Sequence, residues 1–152
     1  MQTLTNPVAI QREPLTGTIK AELFDLARAN HAASGYPGPF APQFRIFAEL
    51  EKAGALCLIV ARVDGVPVGY CVHAATINHV TGELHANCLA IYLEPEHLIL
   101  ARSLVREAER LAREAGCVAV TFAVPHLTRT GAFFEAIGYE CAEVVMCKRL
   151  GD

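Results

Sequence analysis

The sequence predicts an α/β fold: a mixed, mainly antiparallel sheet flanked by helices. Three stretches carry that expectation. Residues 83–116 read as a strand running straight into a helix, residues 55–78 as a hairpin of long strands, and residues 18–53 as two amphipathic helices placed before the sheet. At 152 residues with 53% apolar content, the chain is expected to form one domain with an ordinary core.

In chain order, residues 7–13 are a short strand with Val8 and Ile10 on one side. Thr18 is placed to cap a helix over 18–33, with Leu23, Leu26 and Ala27 inward. The Gly/Pro run 34–39 forms a rigid connection to a second helix over 42–53, whose Phe44, Phe47 and Leu50 share a face and whose end is marked by Gly54. Strands follow at 55–63 and 66–78, joined by an Asp64-Gly65 turn. A Thr81-Gly82 turn then leads into Leu84–Leu93, which is apolar on both faces, as a central strand covered on both sides would be. This turn sets His79 opposite Leu84 and Asn78 opposite His85.

Pro95 removes a ladder donor, and the next apolar positions, 101, 104, 105, 108, 111, 112 and 115, have helical spacing. Arg102, Arg106, Glu109, Arg110 and Arg113 occupy the opposite face, and Gly116 stands where a helix C-cap needs positive φ. The helix is expected over 98–115, a second buried strand over 117–124, a helix over 128–137 and a last strand over 139–149. The order is β-α-α-β-β-β-α-β-α-β. Strands 84–93 and 117–124 should be parallel neighbours. A strand that delivers its end to a helix N-terminus is an anion site, because the first-turn amides lack partners.

A net charge of −3 with mixed signs gives no reason to expect a nucleic-acid surface. No apolar run is long enough to span a membrane and no leader segment is evident, so a soluble, unsecreted protein is expected. Cys57, Cys71, Cys88, Cys117, Cys141 and Cys147 stand singly, without a Cys-x-x-Cys pair. They read as reduced thiols in a cytoplasmic protein rather than as a disulfide or zinc framework.

This order, with Asp64-Gly65-x-x-x-Gly69-Tyr70 and the terminal Phe133-Phe134-Glu135-Ala136-Ile137-Gly138-Tyr139, resembles the GNAT family of acyl-CoA N-acyltransferases over residues 11–150. His31, Pro42, Leu50, Glu51, Gly54 and Leu84-His85-Ala86 resemble the branch encoded by phages and prophages. The resemblance implies that the two parallel strands splay and that the pantetheine of acetyl-CoA pairs with strand backbone at Leu89, Ile91, Tyr92 and Leu93. It further implies a pyrophosphate loop at Pro95, Glu96, His97, Leu98, Ile99, Leu100, Ala101 and Arg102. That stretch holds none of the glycines through which family members bring amides to the pyrophosphate. Phe134 stands where the family's leaving-thiol tyrosine would be, Leu127 near its helix-starting asparagine, and Asn87 near its glutamate base.

Among the charges, Arg102 is the most informative, because a cation in a first helical turn opposes the helix dipole. It either pairs with a ligand phosphate or points outward to Glu96 or solvent. Glu83, His85 and Asn87 share one strand face; His85 is the candidate base and Glu83 its orienting or amine-attracting partner, against the alternative of ordinary strand residues. Leu98, Ile99 and Leu100 either start the helix beneath Phe133 or Leu127, or form a patch for a partner or a second copy. Tyr36 and Phe40 are candidates for a lid over an acceptor groove. His73, His79, His85 and His97 do not converge, so no metal site is expected. No Gly-x-Ser-x-Gly elbow is present.

Two functions emerge. The first is an acyl-CoA-dependent N-acyltransferase, in which a small-molecule or protein amine attacks the thioester of acetyl-CoA directly. The amides of Ile91 and Leu93 would polarise the carbonyl, and water or His85 would take the proton. The second is a non-catalytic phage or prophage derivative of the same fold that binds a host protein.

Overall fold

The computed structural model describes residues 6–124 and 128–151. Its elements are β1 (Val8–Arg12), α1 (Gly17–Ser34), α2 (Phe44–Lys52), β2 (Leu56–Val63), β3 (Val66–Ile77), β4 (Leu84–Leu93), a 3-10 segment (Pro95–Leu100), α3 (Ala101–Glu114), β5 (Ala119–Thr121) and α4 (Arg129–Ala136). The sheet runs β1-β2-β3-β4-β5, antiparallel except for the parallel pair β4–β5. This is the mixed α/β sheet with a parallel pair that the sequence predicts.

Alternation along the strands builds two apolar layers. Leu56, Leu58, Val60, Tyr70 and Val72 face Ile19, Leu23 and Leu26 of α1, with Phe47 and Leu50 of α2 at the margin. Ile59, Ala61, Cys71 and Leu93 face the other way, onto Leu100, Leu104 and Ala108. Leu104 and Ala108 are fully buried, as the helical repeat of α3 predicts.

The α1 cap is Thr16 rather than Thr18: its hydroxyl accepts from the Ile19 amide at 3.2 Å, and Thr18 lies one residue inside the helix. Glu51 of α2 accepts from the Leu15 amide at 2.7 Å, tying α2 to the start of α1. Arg62 bridges β2 to Glu13 at 2.8 Å and to Glu22 of α1 at 2.6 Å. At the first hairpin, Asp64 and Gly65 both take positive φ, 51° and 78°, which matches the right-handed strand twist.

Several sequence expectations change. The second hairpin is longer than Thr81-Gly82 alone: Ile77 pairs with Leu84 and Thr76 with His85, so His85 does not face Asn78. The Asn78 side chain accepts from the Val80 and Thr81 amides at 2.9 and 3.1 Å, which creates a turn not visible in the apolar pattern. The 98–115 helix is split. Pro95 starts a 3-10 segment through Leu100, and α3 begins at Ala101. The strand expected over 117–124 pairs only at Ala119–Thr121. No strand forms over the described residues of 139–149, where Val144, Val145 and Met146 are exposed; β5 has only three ladder residues, too short an edge to template a long partner.

Candidate functional site

β4 pairs with β3 along its length, but with β5 only at His85↔Ala119, Ala86↔Val120 and Asn87↔Thr121. From Cys88 to Leu93 its β5-facing edge has no ladder partner among the described residues. The strand that looked covered on both sides is therefore largely half-buried, and only Ala86 and Leu93 are fully buried.

Two features hold this wedge open. Val72 pairs with Ala90 and His73 with Cys88, so Leu89 is an extra residue, a β-bulge that reverses the facing of β4. Cys88 packs in the α3 layer, whereas Ala90 and Tyr92 pack in the α1 layer and Ile91 and Leu93 return to α3. Beyond β5, Phe122 stacks on Phe134 with centroids 4.6 Å apart and meets Tyr139 edge-on at 5.5 Å. These contacts draw the chain toward α4 instead of along β4.

Asn87 secures the apex. Its amide nitrogen donates to Thr76 Oγ1 of β3, and its oxygen accepts from Thr121 Oγ1 of β5 at 2.7 Å. It therefore joins three strands at the last rung before the wedge opens. Neither Thr76 nor Thr121 stands out in the sequence, because their pairing depends on register.

His85 lies two residues before Asn87 on the same face. Its Nε2 is buried without a hydrogen-bond partner and stands 3.6 Å from the Glu83 carboxylate. The structure thus brings His85 and Glu83 together. His85 lies opposite Thr76 and Ile91 opposite Cys71, five rungs apart because Leu89 is bulged, or about 17 Å at roughly 3.3 Å per residue.

In the 3-10 segment, the His97 amide donates to the Glu94 carbonyl at 2.9 Å, and the Ala101 amide donates to Leu98. These amides are turned into the helical ladder. His97 Nε2 lies 3.9 Å from Glu94. The apolar triplet divides: Leu100 is buried in the α3 layer, while Leu98 and Ile99 are 59% and 78% exposed. Leu98 and Ile99 therefore do not start a packed helix; 3-10 geometry gives three residues per turn and turns only one of the triplet inward. Arg102 is exposed in the first turn of α3 and makes no ion pair with Glu96 among the described residues.

Phe134 is only 5% exposed, packed among Phe122, Phe133 and Tyr139. Tyr139, which the sequence reading did not single out, supplies a phenol to this cluster, but it donates to Glu109 at 2.9 Å. Burial, reinforced by Glu109, pushes that phenol well above its ordinary range. A cavity of about 290 Å³ lies beside Tyr139, between the end of α3 and β5, lined by Glu109, Arg113, Cys117 and Ile137. It includes none of the expected site residues. Leu127 lies outside the described residues. In the 34–39 connection Tyr36 is 66% exposed, whereas Phe40 packs edge-on against Phe24 at 5.4 Å beneath Arg28.

The Acetyltransferase (GNAT) family profile matches residues 21–139. The chain belongs to the GNAT acetyltransferase family. Solved structures agree on the fold. The ribosomal-protein-alanine N-acetyltransferase of Brucella melitensis biovar Abortus 2308 superposes with a TM-score of 0.75 at 21% identity, covering 96% of this chain and 99% of that one. An aminoglycoside N-acetyltransferase in complex with CoA has a TM-score of 0.68 at 19% identity, covering 95% and 100%. An aminoglycoside acetyltransferase from an uncultured soil metagenomic sample, in complex with sisomicin, has a TM-score of 0.70 at 14% identity, covering 95% of each chain. No curated protein sequence matches the chain. Among the described residues, no helix of this GNAT chain is long and apolar enough to cross a membrane.

Proposed function

We propose that this GNAT chain is an acyl-CoA-dependent N-acyltransferase that moves an acetyl group from acetyl-CoA to an amine. One observation carries the reading. Among the described residues, the Cys88–Leu93 edge of β4 has no ladder partner, beside a β5 whose pairing ends at Thr121. Unpaired strand backbone bordering a wedge needs hydrogen-bonding partners, and the amides of a pantetheine chain supply them without requiring particular side chains. Leu89, Ile91, Tyr92 and Leu93 would form that edge, and Phe134 would close its far side as an apolar wall.

The pyrophosphate would be held differently from the family's glycine loop. With the His97 and Ala101 amides engaged by Glu94 and Leu98, charge rather than backbone donors would carry the contact. Among the described residues Arg102 has no acidic partner, and it lies in the first turn of α3, where its guanidinium can meet phosphate oxygens alongside the helix dipole. His97 through Ala101 would shape the loop around it.

The thioester supplies an activated acyl carbon, and the amides of Ile91 and Leu93 would polarise its carbonyl. The amine attacks that carbon directly. A general base must come within hydrogen-bond reach of the proton it takes. Because His85 lies about 17 Å along the strand from Ile91, at roughly 3.3 Å per residue, water takes the proton and the His85–Glu83 pair serves the acceptor side. Candidate amines are those of ribosomal-protein alanine and of aminoglycosides, the acceptors named for similarly folded enzymes.

A second reading is a non-catalytic phage or prophage protein that binds a host protein through this region, or self-associates there. The exposure of Leu98 and Ile99 favours it. Calorimetric titration with acetyl-CoA and desulfo-CoA separates the two. Micromolar binding, about −8 kcal/mol, that weakens in Arg102→Ala supports the enzyme. Absence of heat at millimolar ligand with folded protein removes it.

A further inference from the structure

The sulfur atoms of Cys71 and Cys88 stand 4.0 Å apart on adjacent strands. Cys71 is fully buried in the α3 layer, whereas Cys88 is half-buried. Cys88 is also the first residue of β4 beyond the last β4–β5 rung, at the apex of the wedge, and its neighbour Leu89 is the bulged residue. We propose that this pair is a peroxide-driven disulfide site, a reversible staple between β3 and β4 at the apex of the wedge.

The two cysteines lie diagonally across the ladder, Cys71 opposite Ile91 and Cys88 opposite His73, with their sulfurs 4.0 Å apart. A disulfide needs a sulfur separation of about 2.05 Å, so closure takes an approach of about 2 Å. Side-chain rotation and the slack of a bulged rung can supply that movement. The two thiols have unequal access, which sets the order of events. Cys88 is the more accessible of the two, while a hydrogen bond from the Cys71 thiol to Cys88, and then burial, push the Cys71 thiol up.

In the first step the Cys88 thiolate attacks one oxygen of hydrogen peroxide. The S–O bond forms as the O–O bond breaks, and hydroxide leaves to become water. The Cys88 sulfenic acid then meets the Cys71 thiol, whose sulfur attacks the Cys88 sulfur as its proton passes to the departing hydroxyl. The S–S bond forms, the S–O bond breaks and a second water leaves. Two thiols have lost two electrons and two hydrogens, and one peroxide has become two waters. A thiol reductant reverses the step by exchange.

The test uses the full chain carrying Cys141→Ser and Cys147→Ser, which removes the two exposed thiols. The protein is treated with hydrogen peroxide, alkylated, and digested with trypsin plus a glutamate-specific protease. Cleavage after Arg62, Glu83 and Glu96 puts Cys57, Cys71 and Cys88 on separate peptides. Peptide 63–83 linked to peptide 84–96, lost on treatment with dithiothreitol and absent in Cys88→Ala, is the expected result. A link from either thiol to Cys57 or Cys117, a Cys88 sulfinic acid beside an alkylated Cys71, or full alkylation of both thiols after peroxide would overturn the proposal. The digest of the parent chain decides this even if a cysteine variant fails to fold.

Discussion

Asn87 of β4 accepts a 2.7 Å hydrogen bond from Thr121 of β5, at the last position where the two strands still run together. Past that contact β4 has no ladder partner along one edge among the described residues. The Asn87–Thr121 pair therefore sets where the wedge begins.

Removing it should affect both stability and the wedge. Asn87→Ala and Thr121→Val should each cost about 1 kcal/mol in urea unfolding, the net value of such a hydrogen bond. The double variant should cost less than the sum, since the two side chains are partners. Strict additivity would show that the contact does not couple the strands.

Gly69 should tolerate no side chain. A Cβ there would lie 2.6 Å from the Tyr92 carbonyl oxygen and run into the Leu93 side chain, at the Gly69↔Leu93 end of the β3–β4 ladder. Because one obstacle is backbone, relief requires the strands to part. Gly69→Ala should destabilise by about 1–3 kcal/mol, read from the urea midpoint, and a variant as stable as the parent would contradict this packing.

His73 should make the fold sensitive to acid. It is 3% exposed with an unpartnered Nδ1, in a small cavity that Arg12, Cys57 and Cys117 also line. Burial first, and the Arg12 guanidinium second, lower its pKa from the ordinary 6.5. Between the folded and unfolded values the unfolded chain binds more protons. Stability is therefore complete above about pH 6.5 and falls as the pH drops through the lowered folded value. Thermal unfolding from pH 7.5 to 5 should show this loss, and His73→Leu should reduce the slope; an unchanged slope would assign the acid sensitivity elsewhere.

Arg102→Ala should weaken CoA binding by about tenfold, as loss of one charge-assisted phosphate contact implies. Its effect on folding should be neutral or slightly favourable, since it removes a cation from a helix N-terminus. Calorimetry and thermal unfolding on the same sample separate a ligand contact from a structural one. Weaker binding accompanied by a marked loss of stability would point to the structural role.

His85→Gln should change kcat by less than about threefold if water takes the proton. A drop of about a hundredfold or more, typical of a lost general base, with loss of the acidic limb of the pH profile, would make His85 the base instead.

Local pattern in the chain was enough for the element types. The spacing of Leu104, Ala108 and Leu111 specifies an α3 that packs on the sheet, and Asp64-Gly65 specifies the first hairpin, because both depend on residues near in sequence. The chain also shows that Phe134 has no hydroxyl and that the 95–102 stretch has no glycine. What it does not carry is register. The Leu89 bulge, the Asn87 contacts to Thr76 and Thr121, the Cys71–Cys88 approach and the shortness of β5 all arise from residues distant in sequence. The same holds for the exposure of Ile99 beside a buried Leu100, which follows from the 3-10 path after Pro95. Short-range periodicity determines which face of an element is apolar. Only long-range pairing decides where β4 loses its neighbour, and that break makes the candidate site.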